Sequence, residues 1–261
     1  MGSRRITPWY RFKKRNARRG RGGMFVWWTL VPWLLIPLAR LVYGFRIRHR
    51  SRCPRTGPVL AICNHQSMLD PMMAGLALRE RGFRPIARKS LQWDLKPLMA
   101  WLLMRYDMIF VDTEVPGAST FKDLLTELKE GRVGIIFPEG ARSEDGCVHE
   151  FGQGVWLLIR RGRSPVLPMA VEGVTDVMPP GRGIRRTGRL EIICGDPLDP
   201  EELIAMGRDA CLEHLRLLVD DLRMQLRSDI RRRTRGKWPK PGPADQSLRD
   251  TLRSSSEESS G

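Results

Sequence analysis

The sequence predicts an α/β fold, a mostly parallel sheet flanked by helices, behind an N-terminal membrane-associated helical segment. Three observations predict it. From residue 57 to 226, apolar runs of strand length alternate with amphipathic runs of helix length, the rhythm of strands joined by crossover helices. The strand-like runs are rich in branched residues and do not alternate apolar with polar, as expected of strands covered on both faces. Residues 24–45 form the only long apolar run of the chain.

Each element follows from its residues. Residues 24–45, MFVWWTLVPWLLIPLARLVYGF, hold Arg40 as their single charge, with Pro32 and Pro37 inside. A simple membrane span carries its basic residues mainly on one side. Here arginines lie before the run (Arg4 to Arg21) and follow it at once (Arg46, Arg48, Arg50, Arg52 and Arg55). Both ends therefore favour the anionic, cytoplasmic face. The expectation is short helices dipping into one leaflet, or a helix in the interface, ahead of a single short span. PVLAIC (58–63) reads as a buried strand, 71–81 as a helix, FRPIA (83–87) as a short strand, 91–104 as a helix and MIFV (108–111) as a strand. Residues 119–130 read as an amphipathic helix, with Thr120 and Asp123 at capping-box spacing and Gly131 as its stop. Next come VGIIF (133–137) as a strand, GVWLLIRR (154–161) as a helix, PVLPMAV (165–171) and LEIIC (190–194) as strands, and Pro200–Arg227 as a closing helix. From Arg227 the chain turns arginine-rich, then rich in Pro and Gly, and ends in SSSEESSG, a composition that predicts disorder.

The boundaries are then a basic arm (1–23), the membrane segment (24–45), an α/β catalytic domain (46–226) and a disordered tail (227–261). The formal net charge of +16 resides in the arms. Residues 1–23 carry nine Lys or Arg and no acid, and 227–240 carries seven bases and one acid, whereas 24–226 is nearly balanced. Such arms favour phosphate on a lipid surface or a nucleic acid. No aromatic–basic interleaving or nucleic-acid motif accompanies them, and no nucleic-acid partner is expected. The five cysteines contain no C-x-x-C pair, so neither a disulfide framework nor a zinc site is indicated, and no metal is expected.

Two stretches carry chemistry. The strand PVLAIC runs directly into Asn64-His65-Gln66-Ser67-Met68-Leu69-Asp70-Pro71. A neutral imidazole can accept the proton of an attacking hydroxyl, and a carboxylate on its other nitrogen fixes the tautomer and stabilises the imidazolium. On a regular helix a five-residue step turns side chains apart by about 140°, so His65 and Asp70 meet only across a turn. Pro71, a helix-starting residue, supports one. The second stretch, Phe137-Pro138-Glu139-Gly140-Ala141-Arg142-Ser143, also follows a strand; Gly140 permits an unusual backbone angle and Arg142 offers the planar fork that grips phosphate. Cys63 and Ser67 have no separate base beside them and read as packing or turn residues.

These residues resemble the glycerolipid acyltransferase family of the 1-acylglycerol-3-phosphate (lysophosphatidic acid) acyltransferases. Asn64, His65 and Asp70 match its N-H-x₄-D block; Phe137 to Ser143 match its F-P-E-G-T-R-S block with Ala141 for Thr; Pro165 to Val171 match an apolar strand containing a proline. The resemblance spans about residues 45–200. It implies an O-acyltransferase in which His65 is the general base on the acceptor hydroxyl and Asp70 orients it. Glu139, Gly140, Arg142 and Ser143 would then form the acceptor phosphate site, and Pro168 would shape the pocket. No cofactor is implied beyond acyl-CoA or acyl carrier protein as donor. The partners implied are membrane lipids and a lyso-lipid acceptor, with lysophosphatidic acid leading and a lyso-aminolipid such as lyso-ornithine lipid next; a non-catalytic lipid-binding member is the other class. One block departs: where the family has roughly G-x-I-F-I-D-R, this chain has Asp107 to Thr113, with Thr113 in place of a phosphate-gripping arginine. Arg88, Lys89 and Arg105 are the candidate substitutes.

Overall fold

The computed structural model describes residues 31–79, 81, 83–88, 109–111, 118–179 and 183–258. Its centre is a seven-stranded sheet: β1 (Arg46–Arg48), β2 (Val59–Cys63), β3 (Phe83–Arg88), β4 (Ile109–Val111), β5 (Val133–Ile136), β6 (Val166–Glu172) and β7 (Glu191–Cys194), in the spatial order β1-β7-β6-β2-β5-β3-β4. β6, β2, β5, β3 and β4 all run one way, each parallel to its neighbour. β7 lies antiparallel to β6, and β1 is parallel to β7, so the last two strands run the other way. The expected mostly parallel sheet is present. The β6–β7 connection carries only the single turn Val174–Val177, and β7 returns antiparallel beside β6 at that edge.

Strand side chains alternate between two cores. On one face Val59, Ala61 and Cys63 of β2 join Leu167, Met169 and Val171 of β6 and Val133 and Ile135 of β5. That layer is covered by α1 (Val31–Tyr43) and α2 (Asp70–Ala77), through Ile36, Met73, Ala74 and Ala77. On the other face Leu60, Ile62 and Val166 meet α3 (Ala118–Lys129), α4 (Gly154–Gly162), α6 (Pro200–Ala205) and α7 (Arg208–Thr234), with α5 (Val174–Val177) a single turn after β6. Gly134 of β5 shows how tight this second layer is: a Cβ there would sit 2.3 Å from Cδ1 of Leu124 on α3. Glycine therefore sets the approach of that helix.

Several elements differ from expectation. β1 was not expected; its three residues pair with β7, and Arg48 is tied to Glu191 and Asp229. The helix expected at 71–81 ends at Ala77. Because α3 begins at Ala118, Thr120 lies inside the helix rather than capping it. The single helix expected at Pro200–Arg227 is two, parted by Gly207 at φ +79, a left-handed angle glycine adopts without strain. The helix expected at 91–104 lies outside the described residues.

The tail is the largest correction. α7 continues seven residues past Arg227 to Thr234, a 3-10 turn forms at Pro243–Asp245, and α8 spans Leu248–Glu258. The arginines read as a solvated arm point partly inward. Arg227 is buried against Glu172, Arg231 pairs with Asp245, and Arg233 pairs with Glu191. Composition alone concealed this, because two of the partners, Glu172 and Glu191, lie in distant strands and the third, Asp245, meets Arg231 only once the chain folds back.

The N-terminal region is described only from residue 31. α1 runs through Pro37 and is apolar on both sides: Ile36, Ala39 and Tyr43 face the core, while Trp33, Leu34, Leu38, Leu41 and Val42 are exposed. Among the described residues no helix is long and apolar enough to cross a membrane.

Candidate active site

β2 and β5 are parallel neighbours with Ile62 in register with Ile136, so the loops leaving their C-terminal ends share one edge of the sheet. That register brings the two chemistry-bearing stretches together. Asn64 ends β2 as a clamp: its Oδ1 accepts from the Val171 N–H at 2.8 Å and its Nδ2 donates to the Val171 carbonyl at 3.1 Å. A fully buried amide is tolerated because both its halves are satisfied. The next residue, His65, is thereby launched from a fixed point.

The chain then turns tightly around one carboxylate oxygen. Oδ2 of Asp70 accepts from the backbone N–H groups of Gln66 (2.5 Å) and Ser67 (2.6 Å) and lies 2.8 Å from Nδ1 of His65. This turn closes the five-residue step that a helix would leave open. Asp70 is wholly buried, whereas the His65 side chain is 19% exposed and so accessible to a substrate. The ring stacks on Phe137, with centroids 4.4 Å apart. With Nδ1 bound to the carboxylate, Nε2 is the nitrogen left to take a proton.

The second stretch supports the first. Glu139 Oε1 accepts from the backbone N–H of His65 at 2.8 Å, and its Oε2 from the backbone N–H of His149 at 3.2 Å. Burial, together with the negative charge of Asp70 and Asp145, pushes its carboxyl up to about 7 even though these two hydrogen bonds pull it down. The Ser143 N–H donates to the His65 carbonyl at 2.7 Å, and its hydroxyl donates to Asp145 and accepts from the Gly146 N–H, both at 2.8 Å. Both peptide groups of His65 are therefore held by the Phe137–Ser143 loop. Glu139 and Ser143, expected at the acceptor phosphate, both hold this scaffold, Glu139 through two N–H groups and Ser143 through the His65 carbonyl. Gly140, with φ +72, supplies the left-handed turn between them.

Arg142 is exposed on the same loop and keeps its place as the candidate cation. Pro168 is buried in β6, in register with Ile62, and its ring crowds Gly195, where a Cβ would meet Pro168 Cγ at 2.9 Å and Leu222 of α7 at 3.0 Å. It faces the α7 side of the sheet. Arg88 is the last residue of β3, in register with Val111. Lys89, Arg105 and Thr113 lie outside the described residues. Cys63 is fully buried and burial pushes its thiol well up, so it is no thiolate nucleophile; the Ser67 hydroxyl donates to the Met178 carbonyl. Among the described residues no cluster could hold a metal ion. Sequence reasoning assigned no role to the Asn64 clamp, to Phe137 as the floor of the imidazole, or to Gln66, whose amide donates to the Gly146 carbonyl at 2.9 Å. Asn64 and Phe137 left a signal, as the first residues of the two chemistry-bearing stretches, and Gln66 left none.

A family profile described as Acyltransferase matches residues 44–172, the span that holds every residue of this arrangement up to Glu172. Residues 44–172 form a domain of the acyltransferase family of enzymes. It is 25% identical over 158 residues to a 1-acyl-sn-glycerol-3-phosphate acyltransferase of Bacillus subtilis, covering 59% of this chain and 74% of that one. It is 30% identical over 149 residues to the alpha form of the mouse enzyme of the same name, covering 55% of this chain and 51% of that one. The crystal structure of the 1-acyl-sn-glycerophosphate (LPA) acyltransferase of Thermotoga maritima superposes with a TM-score of 0.61 at 20% identity over 86% of each chain, which shows a common fold.

Proposed function

We propose that this acyltransferase transfers a fatty acyl group from an acyl thioester to the free hydroxyl of a lyso-lipid, with 1-acyl-sn-glycerol-3-phosphate the leading acceptor and acyl-CoA or acyl carrier protein the donor. The observation that carries this reading is the His65–Asp70 pair at the mouth of β2, gripped by the loop that presents Arg142. Nε2 of His65 takes the proton of the acceptor hydroxyl as its oxygen attacks the thioester carbonyl. The C–S bond then breaks, and the leaving thiolate takes the proton from the imidazolium. Buried Asp70 balances the positive charge that His65 carries between these steps. No acyl-enzyme is needed.

The topology supports work at a lipid surface. β1 runs opposite to β2, so the C-terminal end of α1 stands at the edge of the sheet where β2 delivers His65. The exposed apolar face of α1 would rest in the anionic, cytoplasmic leaflet beside the site.

The acceptor is tested by competition between lysophosphatidic acid and a lyso-lipid lacking the phosphomonoester. With Thr113 in place of the family's arginine, the expected result is a broad acceptor range. Thr113→Arg should then favour lysophosphatidic acid by roughly ten- to a hundred-fold, the worth of one charge-assisted contact. Strict lysophosphatidic acid selectivity in the wild type would overturn that expectation and direct attention to Arg88, Lys89 or Arg105.

A further inference from the structure

Arg223, Arg227 and Arg231 stand at four-residue spacing, in one line along α7. Arg223 is completely buried; it donates to the carbonyls of Ala244 (2.7 Å) and Gln246 (3.2 Å) and to Asp220 (2.8 Å). Arg227 donates to the Lys240 carbonyl (2.8 Å), to Asp245 (2.7 Å) and to Glu172 (2.7 Å), while Arg231 pairs with Asp245 at 2.7 Å. Lys240 N–H donates to Asp176, Leu248 N–H donates to Asp220, and Trp238 is buried. Residues 238–248 are thus a strap bound across α7. A guanidinium taken out of water needs its donors met and a counter-charge close by, and the strap supplies much of both.

The strap reaches the catalytic turn at one point. Ala244, its carbonyl fixed by Arg223, lies against Gly146: a Cβ built on Gly146 would be 3.2 Å from Ala244 Cβ and 3.9 Å from Gln66 Nε2. Gly146 in turn accepts from Gln66 and donates to Ser143, which holds the His65 carbonyl. A second route runs through Glu172, the residue after the Val171 that Asn64 clamps.

We propose that the strap is a positioning element of the active site, latched by Arg223 and Arg227, and that Ala244 sets the geometry of His65 by pressing on the Gly146 turn. This rests on the reading of His65 as the base. Ala244, Arg223 and Arg227 are positioning residues, remote from the reacting atoms. A displacement of about 1 Å in a catalytic group can cost on the order of a hundred-fold in rate, so bulk at position 244 acts on turnover more than on acceptor binding.

The test uses the full chain. Ala244→Leu should lower kcat at least about tenfold, with the acceptor KM within about threefold, and should speed amide hydrogen exchange at Ser143 and Gly146. Ala244→Ser should restore most of kcat. Asp245→Asn weakens the latch without adding bulk and should produce the same exchange signature with a smaller loss, which serves if Ala244→Leu folds poorly. Leu203→Ala, a core change on α6, is the control: it should lower thermal stability and leave kcat per folded molecule unchanged. A wild-type kcat in Ala244→Leu, or a loss no larger than its folded fraction explains, would overturn the proposal, as would unaltered exchange at both amides in Asp245→Asn. Should the wild type transfer no acyl group, the catalytic reading fails while the exchange result still decides the strap.

Discussion

Oδ2 of Asp70 lies 2.8 Å from Nδ1 of His65 and accepts the N–H groups of Gln66 and Ser67 as well, while Oδ1 of the same carboxylate is buried with no hydrogen-bond partner among the described residues. One oxygen thus builds the turn and orients the base. The other has no such duty.

That asymmetry separates two substitutions. In Asp70→Asn the amide oxygen can take the Oδ2 position and keep all three donors, with the NH₂ where Oδ1 was; the turn survives, but the charge that balances the imidazolium is gone. Asp70→Ala strands the two backbone donors, at a cost of about 1–3 kcal/mol for each buried group left unsatisfied. Both variants should lose on the order of 10²–10⁴ in kcat, and only Asp70→Ala should also show a large fall in denaturation midpoint. His65→Ala should lose comparable activity with little change in stability. Near-normal turnover by purified His65→Ala would refute the mechanism.

Glu139 gives a pH-dependent prediction. Its carboxyl is pushed from an ordinary 4.5 up to about 7, chiefly by burial. Across that window the folded protein binds more protons at Glu139 than the unfolded chain does, so the contribution of this group to stability is fully present below its unfolded pKa and is lost as pH rises through about 7. Glu139→Gln removes the titration and leaves one of the two N–H groups, of His65 or His149, facing an amide NH₂. The variant should be less stable than wild type at pH 5, and the gap should narrow toward pH 8. Thermal midpoints measured across this range decide the matter, and a gap that widens would contradict the role assigned to burial.

How much of this was legible in the sequence depended on distance along the chain. His65 and Asp70 were readable because five residues and a proline define a local turn, and the parallel strands because runs such as VGIIF are buried on both faces. The role of Glu139 was not, since its partners are backbone amides of His65 and His149, which no side-chain pattern advertises. The tail failed for a related reason. Arg227 looks solvated in a basic run until Glu172, 55 residues earlier, is folded against it. Ala244 left no sequence signal, because its contact with Gly146 rests on shape alone.

The last prediction concerns the two sides of α1. Leu38 and Leu41 are 54% and 84% exposed, whereas Ile36, on the same helix, is 7% exposed and packed into the core. Burying a leucine side chain contributes about 1.5–3 kcal/mol relative to exposure, and each 1.4 kcal/mol is about tenfold in partition. If the outer face rests in lipid, Leu38→Asp with Leu41→Asp should cut binding to anionic vesicles at least about tenfold and leave the thermal midpoint nearly unchanged, since neither side chain supports the core. Ile36→Asp should do the reverse, unfolding the protein by burying an unpaired carboxylate. Co-sedimentation at low and high salt separates the contributions: arginines flanking residues 24–45 supply the part that salt screens, and the leucines the part that persists. Salt-resistant binding by the double aspartate variant equal to wild type would remove α1 from the membrane contact and assign it to residues before Val31.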